Sequence, residues 1–166
     1  MSGNKPQSLR FSRRSNSDHE AFMRLALAQA VIAQEKGEVP VGAVVVLDGE
    51  VIGSGYNQNR SLNDPSAHAE IMALRAAGQK INNYRQTGAD LYVSLEPCVM
   101  CAGAILHARI QHLIFGAMDE RWGAAGSVAN VLDSPLLNHQ CAVISGVLKN
   151  EAAQLISQFF AEKRTK

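Results

Sequence analysis

The sequence lacks several features that would assign it to a specialised class of protein. It has no run of about 18 apolar residues, so no transmembrane helix is expected. Only three cysteines occur, and the odd number argues against a disulfide framework. Cysteines without a secretory signal favour a reducing compartment such as the cytoplasm. The net charge is +1, so charge alone does not indicate a nucleic-acid-binding protein. The remaining composition is typical of a globular protein, with 46% hydrophobic residues over 166 positions, enough for one domain.

The distribution of polar and apolar residues predicts one domain behind a short tail. Residues 1–16 are polar and basic without an apolar segment, so we expect a disordered tail and no secretory signal, followed by a single domain over residues 17–166. A helix is predicted over about 18–36 with Asp18 as its N-cap, and a hairpin around Asp48-Gly49. Residues 57–67 are predicted to be a polar loop. Strands then alternate with helices, which indicates an α/β fold, a three-layer α/β/α sandwich with a mixed sheet.

Cys98 and Cys101 form a Cys-x-x-Cys pair that follows Pro97 at the start of a predicted helix. A thioredoxin-like redox pair would open the first helix after the first strand, whereas this pair comes much later in the chain. A structural zinc site needs four ligands, and the sequence has no second Cys-x-x-Cys and no His-x-x-x-His. Cys141 stands alone in an apolar segment, which is typical of core packing.

His68 and Glu70 lie two residues apart, where Asp64-Pro65-Ser66 marks the start of another predicted helix, over about 68–80. Residues at this spacing in mid-helix point to nearly opposite sides, so both can face one site only if His68 precedes the helical geometry. Two helix N-termini could then meet at one point and favour the thiolate forms of the cysteines. His68, Cys98 and Cys101 give three metal ligands and no convincing fourth, as catalytic zinc requires. Glu70 is the carboxylate beside the open position.

The alternative is that Glu70 faces solvent and that the cysteines pack in the core. For any single residue this is the simpler interpretation, but the joint pattern HAE…PCVMC is far more specific. That pattern resembles the signature of the zinc-dependent cytidine deaminase superfamily. Longer blocks, among them EVPVGAVVV, DPSAHAEIMALR, LYVSLEPCVMCAGAILHARI and GAAGS, resemble its branch of bacterial tRNA-specific adenosine deaminases.

The resemblance implies a mixed five-stranded sheet and a homodimer. We also expect one Zn²⁺ ion per chain and, since no long apolar run is present, no association with a membrane. The resemblance further implies hydrolysis of the wobble adenosine in a tRNA anticodon stem-loop to inosine, with ammonia released and Glu70 moving the protons. Asn57 is expected to hydrogen-bond the nucleoside, Val39 and Pro40 to line the base pocket, and Asp119 to lie near the sugar. Each also has an ordinary structural explanation: a turn asparagine, packing at the start of a strand and a solvated loop charge.

Two other functions remain open at this point. A deaminase of a free base or nucleoside, of the guanine or cytosine type, would share every metal ligand. A non-catalytic RNA-binding module stapled by zinc would not need Glu70. Trp122 could stack on a nucleobase or pack at a dimer surface, and the sequence does not decide between them.

Overall fold

The computed structural model describes residues 14–165 of the chain. These residues form five helices and five strands around a single sheet. In chain order the elements are α1 (Asn16–Glu35), β1 (Gly42–Leu47), β2 (Glu50–Tyr56), α2 (Asn59–Leu62), α3 (Ala69–Ile81), β3 (Asp90–Leu95), α4 (Val99–His107), β4 (His112–Ala117), β5 (Ala142–Ile144) and α5 (Lys149–Arg164). The predicted order of helices and strands is confirmed, with the short helix α2 as an addition inside the predicted loop.

The sheet is mixed and its strands are ordered β2-β1-β3-β4-β5. Strand β1 runs antiparallel to both β2 and β3, whereas β3, β4 and β5 run parallel. Asp48 and Gly49 join β1 to β2 with φ angles of 52° and 83°, the left-handed pair that a tight hairpin needs. Because β3 and β4 are parallel, the segments that follow them leave the sheet at the same edge.

Alternate residues of the strands contribute to two separate cores, one on each face of the sheet. Val45, Val93 and Phe115 pack with α3 and α4 on one face. Val44, Tyr92 and Ile114 pack with α1 and α5 on the other. This period of two follows from the strand geometry and produces the predicted three-layer α/β/α sandwich.

Helix α3 packs directly on β2 because two glycines leave room for its backbone. A Cβ atom on Gly53 would lie 2.5 Å from the Ala73 carbonyl oxygen and 2.5 Å from the Ala77 nitrogen. One on Gly55 would lie 2.5 Å from the Ala73 nitrogen. No side chain therefore separates this helix from the strand, and the start of α3 is held at a fixed height above the sheet.

The predicted N-cap of α1, Asp18, is wrong by three residues. Ser15 is the N-cap, since its hydroxyl accepts the Asp18 N–H, while the Asp18 carboxylate accepts the Ser15 N–H as the third residue of a capping box. Arg14, which the sequence assigns to the tail, lies 2.8 Å from the Asp90 carboxylate and donates to the Tyr92 hydroxyl at 3.1 Å. The rest of the predicted tail, residues 1–13, lies outside the described residues. Within residues 14–165, no helix is both long and apolar enough to cross a bilayer.

Candidate metal centre and active site

His68 and Cys98 each occupy the N-cap of a helix. His68 precedes α3 with φ −73° and ψ 155°, and Cys98 precedes α4 with φ −75° and ψ 175°. Both residues are therefore extended, and neither side chain is used to cap its helix. The Asp64 carboxylate accepts the Ser66 N–H and hydroxyl, which forms the turn that delivers His68 in this conformation. The local geometry that allows His68 and Glu70 to face one site is thus present.

The side chains of His68, Cys98 and Cys101 converge, with their ligand atoms within 4.8 Å of one another. His68 Nδ1 lies 3.6 Å from Cys98 Sγ and 3.5 Å from Cys101 Sγ. Zinc bonds of about 2.1 Å to nitrogen and about 2.3 Å to sulfur, at tetrahedral angles, would separate such atoms by about 3.6 Å. The spacing and the donor set both fit a zinc ion bound by these three residues.

The protonation of the two thiols fits the same interpretation. The adjacent Cys101 side chain lowers the pKa of the Cys98 thiol to about 4, and His68 adds to this effect. The adjacent Cys98 side chain, together with burial, raises the pKa of Cys101. The bond to Cys98 raises the pKa of His68. Cys98 is therefore the thiol that becomes a thiolate first, and a bound cation would favour the same form at Cys101.

Glu70 lies in the first turn of α3 and is 4% exposed. Its Oε2 atom accepts a hydrogen bond from the Cys101 thiol at 3.3 Å. Burial raises the pKa of this carboxyl. The alternative of a solvent-facing helix residue is wrong, since the carboxylate is enclosed against the three-ligand cluster.

Asn57 follows β2 and is buried. Its Oδ1 atom accepts the Ala69 N–H at 2.8 Å, which satisfies one of the free donors at the start of α3. The loop carrying Asn57 is thereby tied to the helix that carries Glu70. The NH₂ group of the same amide takes no part in this bond.

Val39 and Pro40 lie between α1 and β1, where Pro40 is buried and Val39 packs against the core. The preceding residue, Glu38, is 2% exposed and accepts hydrogen bonds from the backbone N–H groups of Arg60 and Ser61, at 3.2 and 2.7 Å. These N–H groups belong to the first turn of α2, so Glu38 caps this short helix. It joins the Val39-Pro40 segment to the loop that follows β2.

Asp119 lies in the loop after β4, on the same sheet edge as the Pro97-Cys98 turn after β3. Its Oδ1 accepts the N–H groups of Arg121 and Trp122, at 3.0 and 3.1 Å. Its own N–H donates to the Glu96 carboxylate at 3.3 Å. Trp122 is 71% exposed. The loop thus holds an acidic side chain and a free aromatic ring next to the turn that carries Cys98.

Comparison with known proteins identifies the family. The family of the cytidine and deoxycytidylate deaminase zinc-binding region matches residues 16–117. The chain is 51% identical over 146 residues to the tRNA-specific adenosine deaminase of Haemophilus influenzae, which covers 87% of this chain and 84% of the relative. The chain belongs to the tRNA-specific adenosine deaminase family.

Further relatives agree with this assignment. The tRNA-specific adenosine deaminase of Bacillus subtilis is 43% identical over 147 residues, covering 89% of this chain and 91% of the relative. A solved structure from a study of A-to-I editing by tRNA:A34 deaminases at the wobble position superimposes with a TM-score of 0.79 at 48% identity. The match covers 81% of this chain and 98% of that one. The resemblance found in the sequence is confirmed at the level of the family and the fold.

Two buried carboxylates of this deaminase, Glu38 and Glu96, are not singled out by the sequence. Each organises a loop next to a residue expected to bind metal or substrate. A signal was available, because both lie inside the blocks that carry the resemblance, EVPVGAVVV and LYVSLEPCVMC. Nothing in a single sequence distinguishes them from exposed glutamates, since their burial depends on strands and loops far away along the chain.

Proposed function

We propose that this chain converts the wobble adenosine of a tRNA anticodon to inosine, consuming water and releasing ammonia. The observation that carries the proposal is the enclosed Glu70 carboxylate beside a cluster of one histidine and two cysteines that can bind a metal ion. Three protein ligands leave one coordination position of zinc open for reaction. Membership of the tRNA-specific adenosine deaminase family supports the choice of substrate.

His68, Cys98 and Cys101 would hold the zinc ion, and Glu70 would move the protons. Zinc bound there supplies a Lewis acid that lowers the pKa of water from its ordinary value toward about 7. Glu70 accepts the proton from the attacking water and delivers it to the purine ring nitrogen. It then helps to protonate the amine that leaves as ammonia. A carboxylate suits both steps because it can accept and return a proton within one cycle.

The substrate contacts are proposed from position. Asn57 Oδ1 already accepts a hydrogen bond from the start of α3. The NH₂ group of this amide is therefore the part that donates to an acceptor on the nucleoside. Val39 and Pro40 supply an apolar wall for the base, held in place through Glu38. Asp119 Oδ1 is used within its own turn, so Oδ2 is the atom available to a sugar hydroxyl.

A homodimer in the cytoplasm is the proposed working state. Val99 and Met100, the two residues between the cysteine ligands, are 61% and 38% exposed at the start of α4. Apolar side chains at such a position favour a covering partner, and a second copy would place that partner next to the metal centre. None of the three cysteines forms a disulfide, which fits a reducing compartment. Light scattering coupled to gel filtration tests the dimer, and a monomer's mass would contradict it.

The activity is tested by mass spectrometry of nucleosides after incubation with purified, zinc-loaded protein. One substrate is an anticodon stem-loop with adenosine at the wobble position. The matched control moves that adenosine to the neighbouring position of the same loop. Free adenosine, cytidine and guanine are incubated in parallel. Inosine formed only from the wobble substrate is the expected result.

The other outcomes are equally informative. Product from a free base or nucleoside alone would retain the zinc chemistry and overturn the proposed substrate. No product from zinc-loaded protein that still binds the stem-loop would indicate a non-catalytic RNA-binding module.

A further inference from the structure

The Glu96 carboxylate is 2% exposed and lies between the end of β3 and the turn that carries Cys98. It accepts four hydrogen bonds, all from the loop after β4. Oε1 accepts the Asp119 N–H at 3.3 Å and the Ser127 hydroxyl. Oε2 accepts the N–H groups of Ala125 and Ser127, each at 3.1 Å. One side chain therefore binds both ends of the segment 119–127.

The loop encloses this carboxylate without spare room. A Cβ atom on Gly123 would lie 2.2 Å from Glu96 Oε2, so only glycine fits there. The next residue, Ala124, donates its N–H to the Pro97 carbonyl oxygen at 2.8 Å. Segment 119–127 is thus attached to two consecutive residues, Glu96 and Pro97, that directly precede Cys98.

The four hydrogen-bond donors around residue 96 favour a carboxylate at this position over an amide. An ionised carboxylate offers about four acceptor positions and no donor, and all four partners here are donors. Burial of such a charge is tolerated when hydrogen bonds satisfy it. A glutamine would place an NH₂ group against at least one backbone N–H.

We propose that Glu96 is a positioning residue, which fixes segment 119–127 and the Asp119 side chain relative to the metal-binding turn. It touches neither metal nor substrate, and acts through Asp119. The inference rests on the proposed function for its kinetic consequences, because Asp119 is there assigned to the substrate sugar. The structural tie itself does not depend on that assignment.

Glu96→Gln is the direct test, and its effect on the loop is specific. The amide oxygen can stay with Ala125 and Ser127, whose two N–H groups cannot rotate. The NH₂ group then faces the Ser127 hydroxyl, which can turn to accept, and the Asp119 N–H, which cannot. The substitution therefore releases the Asp119 end of the segment while the other end stays bound.

The expected result is a fall in kcat/KM on the wobble stem-loop of about 10- to 100-fold, the size seen when a substrate-contacting group is misplaced by about 1 Å. Zinc content stays at the wild-type level. In a double-mutant cycle with Asp119→Ala, the kcat/KM of the double variant lies no more than about threefold below that of Asp119→Ala alone. Both substitutions remove the same contact, that of Asp119 with the substrate. Ser157→Ala, on the exposed face of α5, is the control and leaves the kinetics unchanged.

Additive losses in the cycle, loss of zinc from Glu96→Gln or wild-type kinetics would each overturn the inference. Ser127→Ala removes one donor from the same carboxylate and replaces Glu96→Gln in the cycle if that variant does not fold. Hydrogen exchange separates this inference from the proposed function. Faster exchange at the Asp119 amide, with unchanged exchange in α3, supports the tie even if the wild-type chain makes no inosine. Unchanged exchange at Asp119 overturns it in either case.

Discussion

At the scale of single residues, three buried glutamates serve different purposes. Glu38 and Glu96 bind backbone N–H groups, which fixes a loop in each case. Glu70 is bonded instead to a cysteine thiol of the metal cluster. A carboxylate surrounded by backbone donors is held as an acceptor, whereas one beside a metal site can exchange protons. The surroundings therefore separate the proposed proton carrier from the two structural carboxylates.

Replacing Glu70 by glutamine should abolish turnover without removing zinc. The amide keeps the shape of the side chain but cannot accept and return a proton, so we expect a loss in kcat of at least about 10²- to 10⁴-fold. Inosine formation and metal content are measured on the same preparation. Glu35→Gln, an exposed residue at the end of α1, is the matched control and should behave as the wild type. Retained turnover in Glu70→Gln would contradict the mechanism.

Cys101→Ala should lose both zinc and stability, because the metal binds only the folded arrangement and so stabilises it. Cys141→Ala is the matched control. Cys141 is also buried, but it packs in the core among apolar residues. This change should keep zinc and cost about 1 kcal/mol in the free energy of unfolding. Elemental analysis and thermal unfolding check both, and zinc retained at the wild-type level by Cys101→Ala would disprove its assignment as a ligand.

At the scale of elements, the height of α3 above the sheet is set by glycines. Gly53→Ala would push a methyl group into the backbone of α3, so we expect a destabilisation of about 1–3 kcal/mol and weaker zinc binding. Gly78→Ala makes the same change inside α3, where the nearest atom to the new methyl group is the Asn83 carbonyl oxygen, at the ordinary contact distance of 3.4 Å. There the helix propensity of alanine should stabilise the protein by up to about 1 kcal/mol.

Urea unfolding and a zinc-competition assay measure both glycine variants. If Gly53→Ala proved as stable as Gly78→Ala, direct packing of α3 on β2 would not be what holds this helix in place.

Local patterns predicted most elements, and their failures have local causes. The Asp48-Gly49 hairpin is correct because a two-residue turn with positive φ is encoded in the turn itself. The N-cap of α1 is misplaced because Ser15 and Asp18 are both residues that cap helices well. In the structure Ser15 is the N-cap, and the residue before it, Arg14, forms an ion pair with Asp90, 76 residues further along the chain. Helix α2 is missed because its capping carboxylate, Glu38, comes from another segment.

At the scale of the whole molecule, the three proposed ligands and Glu70 could be predicted to lie together because they form two local pairs. His68 and Glu70 lie at the start of one helix, and Cys98 and Cys101 at the start of another. The supports around them could not. The burial of Glu38 and Glu96 depends on which strands are neighbours, and one sequence does not state that order. Parallel pairing of β3 with β4 brings the Asp119 loop to the Cys98 turn, a contact between segments about 20 residues apart.

Acid stability offers a test of the tie made by Glu38. Burial acts to raise the pKa of this carboxyl, but hydrogen bonds from Ser61 and Arg60 outweigh it and hold the pKa below its usual value of about 4.5. A lowered pKa in the folded state adds stability that is complete above the unfolded-state pKa and is lost as the pH falls through the folded-state pKa.

We therefore expect Glu38→Gln to be less stable than the wild type at neutral pH, and the difference to shrink once the pH drops below about 4.5. Urea unfolding at a series of pH values measures this difference. Glu20→Gln, on the exposed side of α1, serves as the control and should show no such trend. pH 3 lies more than about one pH unit below the usual pKa of this carboxyl. A difference that stayed constant down to pH 3 would therefore show that ionisation of Glu38 contributes nothing to stability.

The two halves of the site rest on different supports, and this has a consequence for how the enzyme can change. His68 and Glu70 are held through helix backbone packed against Gly53 and Gly55, an arrangement that tolerates almost no added volume. The Asp119 loop is held by the Glu96 side chain and the Pro97 carbonyl oxygen, and its outer residues, such as Arg121 and Trp122, are exposed. Mutation can therefore vary the exposed side chains of Arg121 and Trp122 while the buried frame of the loop and the chemistry stay constant. New substrate preferences should arise there first, in natural lineages and in laboratory selection alike.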